Sequence, residues 1–320
     1  LSGGLSGATP AVISAGSNLY AAVQGNDGNS IWYATSRDGG SSWSDWLDLS
    51  ELNPLFNTQA APSLGLFEQQ LVLSFLDAQG NLQISSLDPS SSKLESWSSP
   101  IPIASVSSDT FNTQFSPQLT DLGDVLGISW VDADSKTLYS SVSPTPLAAT
   151  TTLTTEELSW ESIDGGSSPT TPAMAQVGDT LYMAVQGNSD NKDGNQIYWS
   201  SSDDGGNTWT GWYSIPDYLT NAAPSLASFN DTLYLAYQGT NNYVYIAELN
   251  DEAANSWSQT NTNHSTSKAP ALVTEVVNGT EQLAFYYVSN SDNSYVQKAW
   301  STDPLSSSAW GNWFELPYSG

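Results

Sequence analysis

Cysteine is absent from this chain of 320 residues, and histidine and arginine each occur once. Without thiols the chain can form neither disulfides nor thiolate metal sites, and a chain of this length can bury a stable core without them. Long hydrophobic runs are also absent, so no segment of the sequence is predicted to insert into a membrane. Helical periodicity is missing too, which points to an all-β fold.

Basic residues are scarce: six lysines and arginines stand against 33 acidic residues, which gives a net charge of −27. Such a charge repels phosphate backbones and anionic membrane surfaces, so nucleic-acid binding is not expected and anionic glycans are disfavoured as ligands. Scarce lysine and abundant serine, threonine and asparagine favour an extracellular setting, secreted or at the cell surface. The sequence begins at Leu1 without a leader, so we expect that a segment was removed or that the chain belongs to a longer protein. The oligomeric state is left open.

Proline and tryptophan divide the chain into six segments of similar length. Each segment opens with a small residue followed by proline, and one tryptophan falls at the same place toward the end of every segment. The prolines are Pro10, Pro62, Pro117, Pro172, Pro224 and Pro270, and the tryptophans are Trp43, Trp97, Trp160, Trp209, Trp257 and Trp310. A period of about 50 residues is that of a repeated supersecondary unit. Residues 9–26 and 171–188 are identical at 11 of 18 positions, which indicates that a block of three units was duplicated.

Short alternating apolar stretches within each unit predict four strands. In the first unit these are residues 11–15, 19–24, 31–35 and 43–49, separated by turns rich in glycine, serine and asparagine. Four antiparallel strands per unit, repeated radially, describe a six-bladed β-propeller that forms one domain over residues 1–320. The predicted blades are approximately 9–59, 60–114, 115–170, 171–221, 222–268 and 269–320. The sequence does not decide whether residues 1–7 add a strand across the seam.

Two segments share the pattern S-x-D-x-G-x-x-W, in the predicted turn between the third and fourth strands. The matching residues are Ser36, Asp38, Gly40 and Trp43 in the first unit and Ser202, Asp204, Gly206 and Trp209 in the fourth. This pattern resembles the Asp-box, or BNR repeat, of sialidase-like β-propellers. The resemblance implies a structural staple on the face opposite the ligand, in which the aspartate accepts backbone N–H groups and the aromatic ring packs between sheets.

Enzymatic activity has little support in the residues present. Sialidases of the resembled superfamily hold the substrate carboxylate with three arginines, and this chain has only Arg37, which lies inside one of the two turns. We interpret the stretch around His264 as a polar surface loop, and no nucleophile-elbow motif accompanies it. A glycoside hydrolase or lyase with two carboxylates in the central pocket stays as an alternative, since 33 acidic residues offer many pairs.

Neutral amides and aromatic residues recur in the loops that lead into a blade. Phe-Asn-Thr-Gln occurs twice, a looser version occurs once, and a glutamine ends three of the second strands. In a propeller these positions share one face, which we call the lead-in face. The predicted ligand-binding residues are Gln24, Phe56, Asn57, Gln59, Phe111, Asn112, Gln114, Gln186, Tyr218, Asn221 and Gln238. Amides beside aromatic rings suit sugar hydroxyls and C–H faces, so a neutral glycan or glycoprotein is the predicted partner.

Two alternatives to glycan binding stay open. The amides can instead tie loops to the backbone of the neighbouring blade, and the face can instead dock a protein, as in an adhesin or scaffold module. The size and blade count are also similar to those of the six-bladed fucose-binding lectins of fungi and bacteria, whose sugar pockets use an arginine and a glutamate from each blade. This sequence lacks that arginine, so the resemblance does not imply fucose specificity.

Metal binding has a weak indication in two acidic loops. Oxygen ligands for a calcium ion are offered by Asp132 and Asp134 and by Asp190 and Asp193, but neither loop has the closing glutamate of an EF-hand. No other cofactor is expected.

Overall fold

The computed structural model describes residues 6, 8–15, 17–26, 28–67, 70–90, 96–102, 113–115, 117–121, 126–142, 161–188, 194–290, 295–311 and 313–316. Within these ranges the chain forms six sheets of four strands. Helical structure in the described ranges is limited to one α-helical turn, α1 (Leu49–Leu52), and one 3-10 turn (Ser307–Trp310). Neither turn is long or apolar enough to cross a membrane.

Each sheet is built from four strands that are consecutive in the chain and pair in an antiparallel manner. The first sheet contains β1 (Ala11–Ala15), β2 (Asn18–Gln24), β3 (Ile31–Ser36) and β4 (Leu47–Asp48). The second contains β5 (Ser63–Phe67), β6 (Gln70–Leu76), β7 (Leu82–Leu87) and β8 (Ile101–Pro102). The third contains β9 (Gln118–Asp121), β10 (Leu126–Val131), β11 (Thr137–Val142) and β12 (Glu161–Ser167).

The second half of the chain repeats this arrangement. The fourth sheet contains β13 (Ala173–Val177), β14 (Thr180–Gln186), β15 (Gln196–Ser202) and β16 (Tyr213–Leu219). The fifth contains β17 (Ser225–Phe229), β18 (Thr232–Gln238), β19 (Tyr243–Asp251) and β20 (Ser256–Ser265). The sixth contains β21 (Ala271–Val277), β22 (Thr280–Val288), β23 (Val296–Ser301) and β24 (Trp313–Glu315).

The six sheets are arranged as the blades of a closed propeller. The first strands of consecutive blades contact one another in the order β1, β5, β9, β13, β17 and β21, and β21 contacts β1 again. The second strand of each blade is buried on both faces because the sheet lies between two neighbouring sheets, as in β2, where residues 19–23 are all buried. Such strands need apolar side chains in succession rather than in alternation. The predicted six-bladed, all-β propeller is confirmed.

Trp97 and Trp257 pack between neighbouring blades. Trp97 of the second blade meets Tyr33 of the first edge to face, with ring centroids 5.2 Å apart. Trp257 of the fifth blade meets Trp199 of the fourth in the same way at 6.0 Å. In both pairs the tryptophan joins its own blade to the blade that precedes it and buries apolar surface at that joint.

The seam between the last and first blades is closed by side chains. Blade six takes all four of its strands from the C-terminal part of the chain. From the described N-terminal residues only Ser6 pairs with a strand end, as an isolated bridge to Gly25 of blade one. Trp43 of blade one packs edge to face on Tyr286 of blade six, at 5.8 Å. Residues 1–7 were left open as a strand across the seam; of these, Ser6 pairs with blade one.

The fourth strand of blade one is shorter than the predicted range 43–49, and that prediction was wrong in its bounds. Only Leu47–Asp48 pairs with β3. The Asp48 carboxylate accepts a hydrogen bond from the Ser50 N–H at 2.8 Å and caps α1, so the chain turns into a helix instead of continuing the strand.

Candidate functional site on the lead-in face

A cavity of about 430 Å³ lies on the propeller axis. Five blades line it with their opening pair of a small residue and proline, and the third blade lines it with Phe115 and Gln118. Proline has no N–H to donate, so it is tolerated at the start of a strand beside an open channel. The exposed residues Asn221 and Ser267 belong to the lining, so the cavity opens on the lead-in face.

Six short turns surround the mouth of this cavity, one before each blade, and we call them the lead-in turns. In five of them a serine or threonine hydroxyl donates to the carbonyl two residues later, as Thr58 does to Ala60 at 2.8 Å and Thr220 does to Ala222 at 2.8 Å. The five hydroxyl donors are Ser6, Thr58, Thr113, Thr220 and Thr266. In the remaining turn Ser168 Oγ lies 3.4 Å from Thr170 Oγ1. The sequence carries this signal as a serine or threonine four residues before each proline, a pattern that the sequence analysis did not use.

The three glutamines at the ends of second strands join neighbouring blades. Gln24 Nε2 donates to Thr58 O at 3.1 Å, and Gln186 Nε2 donates to Thr220 O at 3.1 Å. Gln238 Nε2 donates to Thr266 O at 2.7 Å. Gln186 and Gln238 are 6% and 5% exposed. These contacts agree with the alternative in which the amides tie loops to the backbone of the neighbouring blade.

Two of the aromatic residues expected to face a ligand are buried instead. Phe56 is 1% exposed and packs on Phe75 and Trp97, with ring centroids 5.9 and 6.4 Å apart. Tyr218 is 7% exposed and stacks on Tyr237 at 5.7 Å. Neither ring offers a free face to a ligand, because each fills the joint with the next blade.

Three predicted amides are exposed at equivalent places. Gln59, Gln114 and Asn221 each follow the threonine of a lead-in turn, so they stand around the mouth of the cavity. Asn57 is half-buried and bridges to Ser30 in the turn between β2 and β3. Phe111 and Asn112 lie outside the described residues.

Exposed apolar side chains accompany these amides on the lead-in face. Leu55 is 58% exposed and Leu219 is 41% exposed, each just before a lead-in turn, and Tyr243 is 40% exposed at the start of β19. The Tyr243 N–H donates to Asn241 Oδ1 at 3.2 Å, which orders the start of that strand. None of these three residues was predicted from the sequence; the apolar role of Leu55 and Leu219 was assigned to their buried neighbours Phe56 and Tyr218.

The turns at 36–43 and 202–209, which we call the Asp-box-like turns, lie at the other end of the blades. The Gly39 N–H donates to Ser17 O, in the turn between β1 and β2, at 2.9 Å. The lead-in turn instead contacts the turn between β2 and β3, where the Thr58 N–H donates to Asn29 O at 2.7 Å. The two kinds of turn therefore lie on opposite faces of the propeller.

Both Asp-box-like turns have the same internal hydrogen bonds. Asp204 Oδ1 accepts from Ser202 Oγ and from the Thr208 N–H, each at 2.8 Å, and Asp204 Oδ2 accepts from Thr208 Oγ1 at 2.6 Å. Asp38 repeats these contacts with Ser36 and Ser42 at 2.8, 2.8 and 2.6 Å. The hydrogen bonds from Thr208 and Ser202 stabilise the carboxylate and lower the pKa of Asp204 to about 2.

In the acidic loop at 132–135, the Asp132 side chain accepts hydrogen bonds from the backbone of the same loop. Asp132 Oδ1 accepts from the N–H groups of Asp134 and Ser135 at 3.1 and 2.7 Å and from Ser135 Oγ at 2.8 Å, so this carboxylate closes a turn. Asp190 and Asp193 lie outside the described residues. The described part of the chain contains no group of three or more His, Cys, Asp or Glu residues placed to hold a metal ion.

The interpretation of His264 as part of a surface loop was wrong. His264 lies in strand β20 and is half-buried, and its Nε2 is 2.8 Å from Trp310 O of the next blade. A carbonyl can only accept, so Nε2 carries the proton and Nδ1 accepts from the Tyr287 hydroxyl at 2.8 Å. Burial lowers the pKa of His264, although the hydrogen bond to Trp310 opposes this. Both ring nitrogens of His264 thus make hydrogen bonds that join blade five to blade six.

Charged side chains are nearly absent from the described lining of the cavity. Lys268 is the one charged residue in that lining, and no aspartate or glutamate belongs to it. A pair of carboxylates for glycoside cleavage therefore has no counterpart among the described residues of the cavity.

Solved structures of carbohydrate-active propellers share this fold. The Hadza microbial sialidase Hz136 matches with a TM-score of 0.62 and 15% identity over 90% of this chain and 64% of its own. A mutant of the Aleuria aurantia lectin in complex with Fucα1-6GlcNAc matches with a TM-score of 0.63 and 13% identity, over 99% of this chain and 97% of its own. The intramolecular trans-sialidase from Ruminococcus gnavus matches at 0.62 and 10%, over 90% and 91%.

These similarities concern the fold. No protein-family model matches the chain, and no curated protein does so either. This chain spans 64% of the length of the Hadza sialidase. The six-bladed architecture is therefore shared with both lectins and sialidases. The fold alone does not separate a lectin from a sialidase, so the function has to be inferred from the residues of the lead-in face.

Proposed function

We propose that this protein is an extracellular, non-catalytic, lectin-like propeller that binds neutral glycans or glycoconjugates on its lead-in face. The observation that carries the proposal is the exposure of Gln59, Gln114 and Asn221 at equivalent places around one mouth. In this proposal the turns at 36–43 and 202–209 are Asp-boxes that stabilise the opposite face.

Carboxamides fit the hydroxyl groups of sugars because each can donate and accept at once. Leu55, Leu219 and Tyr243 supply exposed apolar surface on the same face, which suits the C–H face of a pyranose ring. The net charge of −27 works against polyanionic glycans and leaves neutral ones unaffected.

Repetition around the ring allows several weak contacts to act together. The three amides belong to the lead-in turns of blades two, three and five, so a branched glycan or a glycan-covered surface can engage more than one of them. Linked weak sites gain affinity through effective concentration rather than through tight individual pockets.

The solved structures with a similar fold support a carbohydrate as the partner. They include the Aleuria aurantia lectin in complex with a fucosylated disaccharide and two sialidases. The single arginine of this chain does not provide the arginines on which those resembled families rely, so the proposed ligand is neither fucose nor sialic acid.

A glycan array tests the proposal with the wild-type protein and the triple variant Gln59→Ala, Gln114→Ala, Asn221→Ala. We expect binding to neutral glycans that the triple variant loses by at least tenfold. The matched control is Gln176→Ala with Asn250→Ala, which removes amides from the opposite face and leaves binding unchanged. Binding that survives the triple variant, or the absence of binding to any glycan, would overturn the proposal.

Two further readouts separate the alternatives. Release of reducing ends from a polysaccharide mixture would identify a glycoside hydrolase or lyase, and a lyase would also form an unsaturated product. Capture of a partner protein that persists after enzymatic removal of its glycans would identify an adhesin or scaffold. Either result would contradict the lectin proposal.

A further inference from the structure

The sixth lead-in turn places a lysine in the wall of the central cavity. Thr266 Oγ1 donates to Lys268 O at 2.8 Å and accepts from the Lys268 N–H at 3.2 Å, so the backbone of this lysine is fixed. This residue is half-buried and belongs to the lining of the cavity. Its ammonium group has no hydrogen bond or ion pair with any described residue, whereas Lys136 bonds to Ala133 O and Lys298 pairs with Glu275.

The corresponding residue of the other five turns is uncharged. These third positions of the lead-in turns are Ala8, Ala60, Phe115, Thr170, Ala222 and Lys268. Blades three and six face each other across a six-bladed ring, so Phe115 and Lys268 stand on opposite sides of the mouth. The mouth thus has one cationic side, one aromatic side and small neutral residues between them.

An ammonium group that is partly removed from water and has no counterion among the described residues favours an anionic ligand. Its attraction to a carboxylate is stronger beside a low-dielectric wall than in bulk water. The acidic surface of the protein repels a long polyanion, but its field is screened over about 8–10 Å at physiological salt, so a single negative charge inside the cavity responds mainly to Lys268. A volume of about 430 Å³ is that of a small-molecule pocket.

We propose that the central cavity binds a small monocarboxylate with an apolar face, its carboxylate on Lys268 and its apolar face against Phe115 and the ring of prolines. Its proposed contacts, Lys268 and Phe115, differ from the exposed amides that carry the proposed function, of which only Asn221 belongs to the described cavity lining. The shared ligand chemistry has two sources, the hexuronate end group of a glycan and a free organic acid.

Calorimetry with two matched pairs of probes tests the proposal. The first pair is methyl β-D-glucuronide and methyl β-D-glucoside, and the second is cyclohexanecarboxylate and cyclohexanecarboxamide. We expect the protein to bind at least one carboxylate and to bind its neutral partner at least tenfold more weakly. Binding of the glucuronide alone indicates a glycan end group as the source, and binding of cyclohexanecarboxylate indicates a free acid.

Variants locate the site. Lys268→Met and Lys268→Gln should each lower carboxylate affinity at least tenfold without changing the melting temperature, since the ammonium has no hydrogen bond or ion pair with a described residue. Lys136→Met, the matched loss of a positive charge from the turn between β10 and β11, should leave the affinity unchanged. The double variant Gln59→Ala with Gln114→Ala, which changes two exposed amides outside the described cavity lining, should also leave it unchanged and separates this site from the glycan site. Equal binding of the neutral probes, undiminished binding by the Lys268 variants or no binding of either carboxylate would overturn the proposal.

Discussion

Glu275 and Lys298 form an ion pair that is buried beneath the Asp-box-like turn of the first blade. The two side chains are 0% and 2% exposed. Glu275 also accepts hydrogen bonds from Gln282 at 2.6 Å and from the Tyr286 hydroxyl at 3.2 Å, while Lys298 Nζ donates to Gly39 O of blade one at 3.2 Å. The hydrogen bond from the buried Lys298 ammonium group to Gly39 O therefore links blade six to blade one across the seam.

Loss of one member of this pair should destabilise the whole ring. Lys298→Met leaves the Glu275 carboxylate buried without its counterion, and we expect the free energy of unfolding to fall by about 3–5 kcal/mol. Urea unfolding followed by tryptophan fluorescence measures this change. The control Lys268→Met removes a lysine whose ammonium has no hydrogen bond or ion pair with a described residue, and it should change stability by less than about 0.5 kcal/mol.

The double variant Glu275→Gln with Lys298→Met tests the cause of that loss. It removes both charges, so it should recover part of the stability that Lys298→Met loses. A fall of less than about 1 kcal/mol for Lys298→Met would show that the pair does not hold the seam.

The two Asp-box-like turns provide a matched pair of glycines. Gly39 and Gly205 occupy the same place and have φ values of 66° and 72°. A Cβ on Gly39 would lie 2.6 Å from Val276 O and 2.7 Å from Val277 Cγ2 of blade six, whereas a Cβ on Gly205 would have nothing within 4 Å. At this glycine position the turn of blade one is thus packed against the neighbouring blade, and the turn of blade four is not.

Alanine at these two positions should therefore have unequal effects. Gly205→Ala adds only the strain of a left-handed alanine, about 1–2 kcal/mol. Gly39→Ala adds this strain and about 1–3 kcal/mol of overpacking against Val276 and Val277. The measurement is the difference in free energy of unfolding between the two variants, and equal losses would contradict the packing of the first turn on the last blade.

Gln186 should act as a tie between blades rather than as a ligand contact. Its Nε2 is the donor to Thr220 O, so Gln186→Ala should lower the free energy of unfolding by about 1–2 kcal/mol and leave glycan affinity unchanged. Gln176→Ala is the control, because its bond to Gly178 O closes only its own hairpin. Weaker glycan binding with unchanged stability would instead make Gln186 a ligand residue.

The sequence predicts the fold because its strongest signals are local and repeated. Pro62 and Trp97 recur with the blade period, and each marks a fixed place relative to the strands, Pro62 just before the first strand and Trp97 between the third and the fourth. Blade number and the opposite placement of the two kinds of turn therefore follow from spacing. The direction in which Phe56 points does not follow, since a residue in an irregular loop is placed by its packing on the adjacent sheet rather than by a period of two. The role of Gln24 was open for a similar reason, because an amide that binds a sugar and one that binds a backbone carbonyl look the same in a sequence.

Asp204 should titrate well below an ordinary aspartate. Its folded pKa of about 2 lies below the value of about 3.9 for an unfolded aspartate, because hydrogen bonds from Thr208 and Ser202 favour the charged form. The stability that this group contributes is therefore present above about pH 4 and is lost as the pH falls toward 2. NMR of the Asp204 carboxyl carbon measures the pKa directly, and Thr208→Val, which removes the hydroxyl donor, should raise it. An apparent pKa near 4 in the wild-type protein would mean that the turn does not hold the carboxylate as the structure shows.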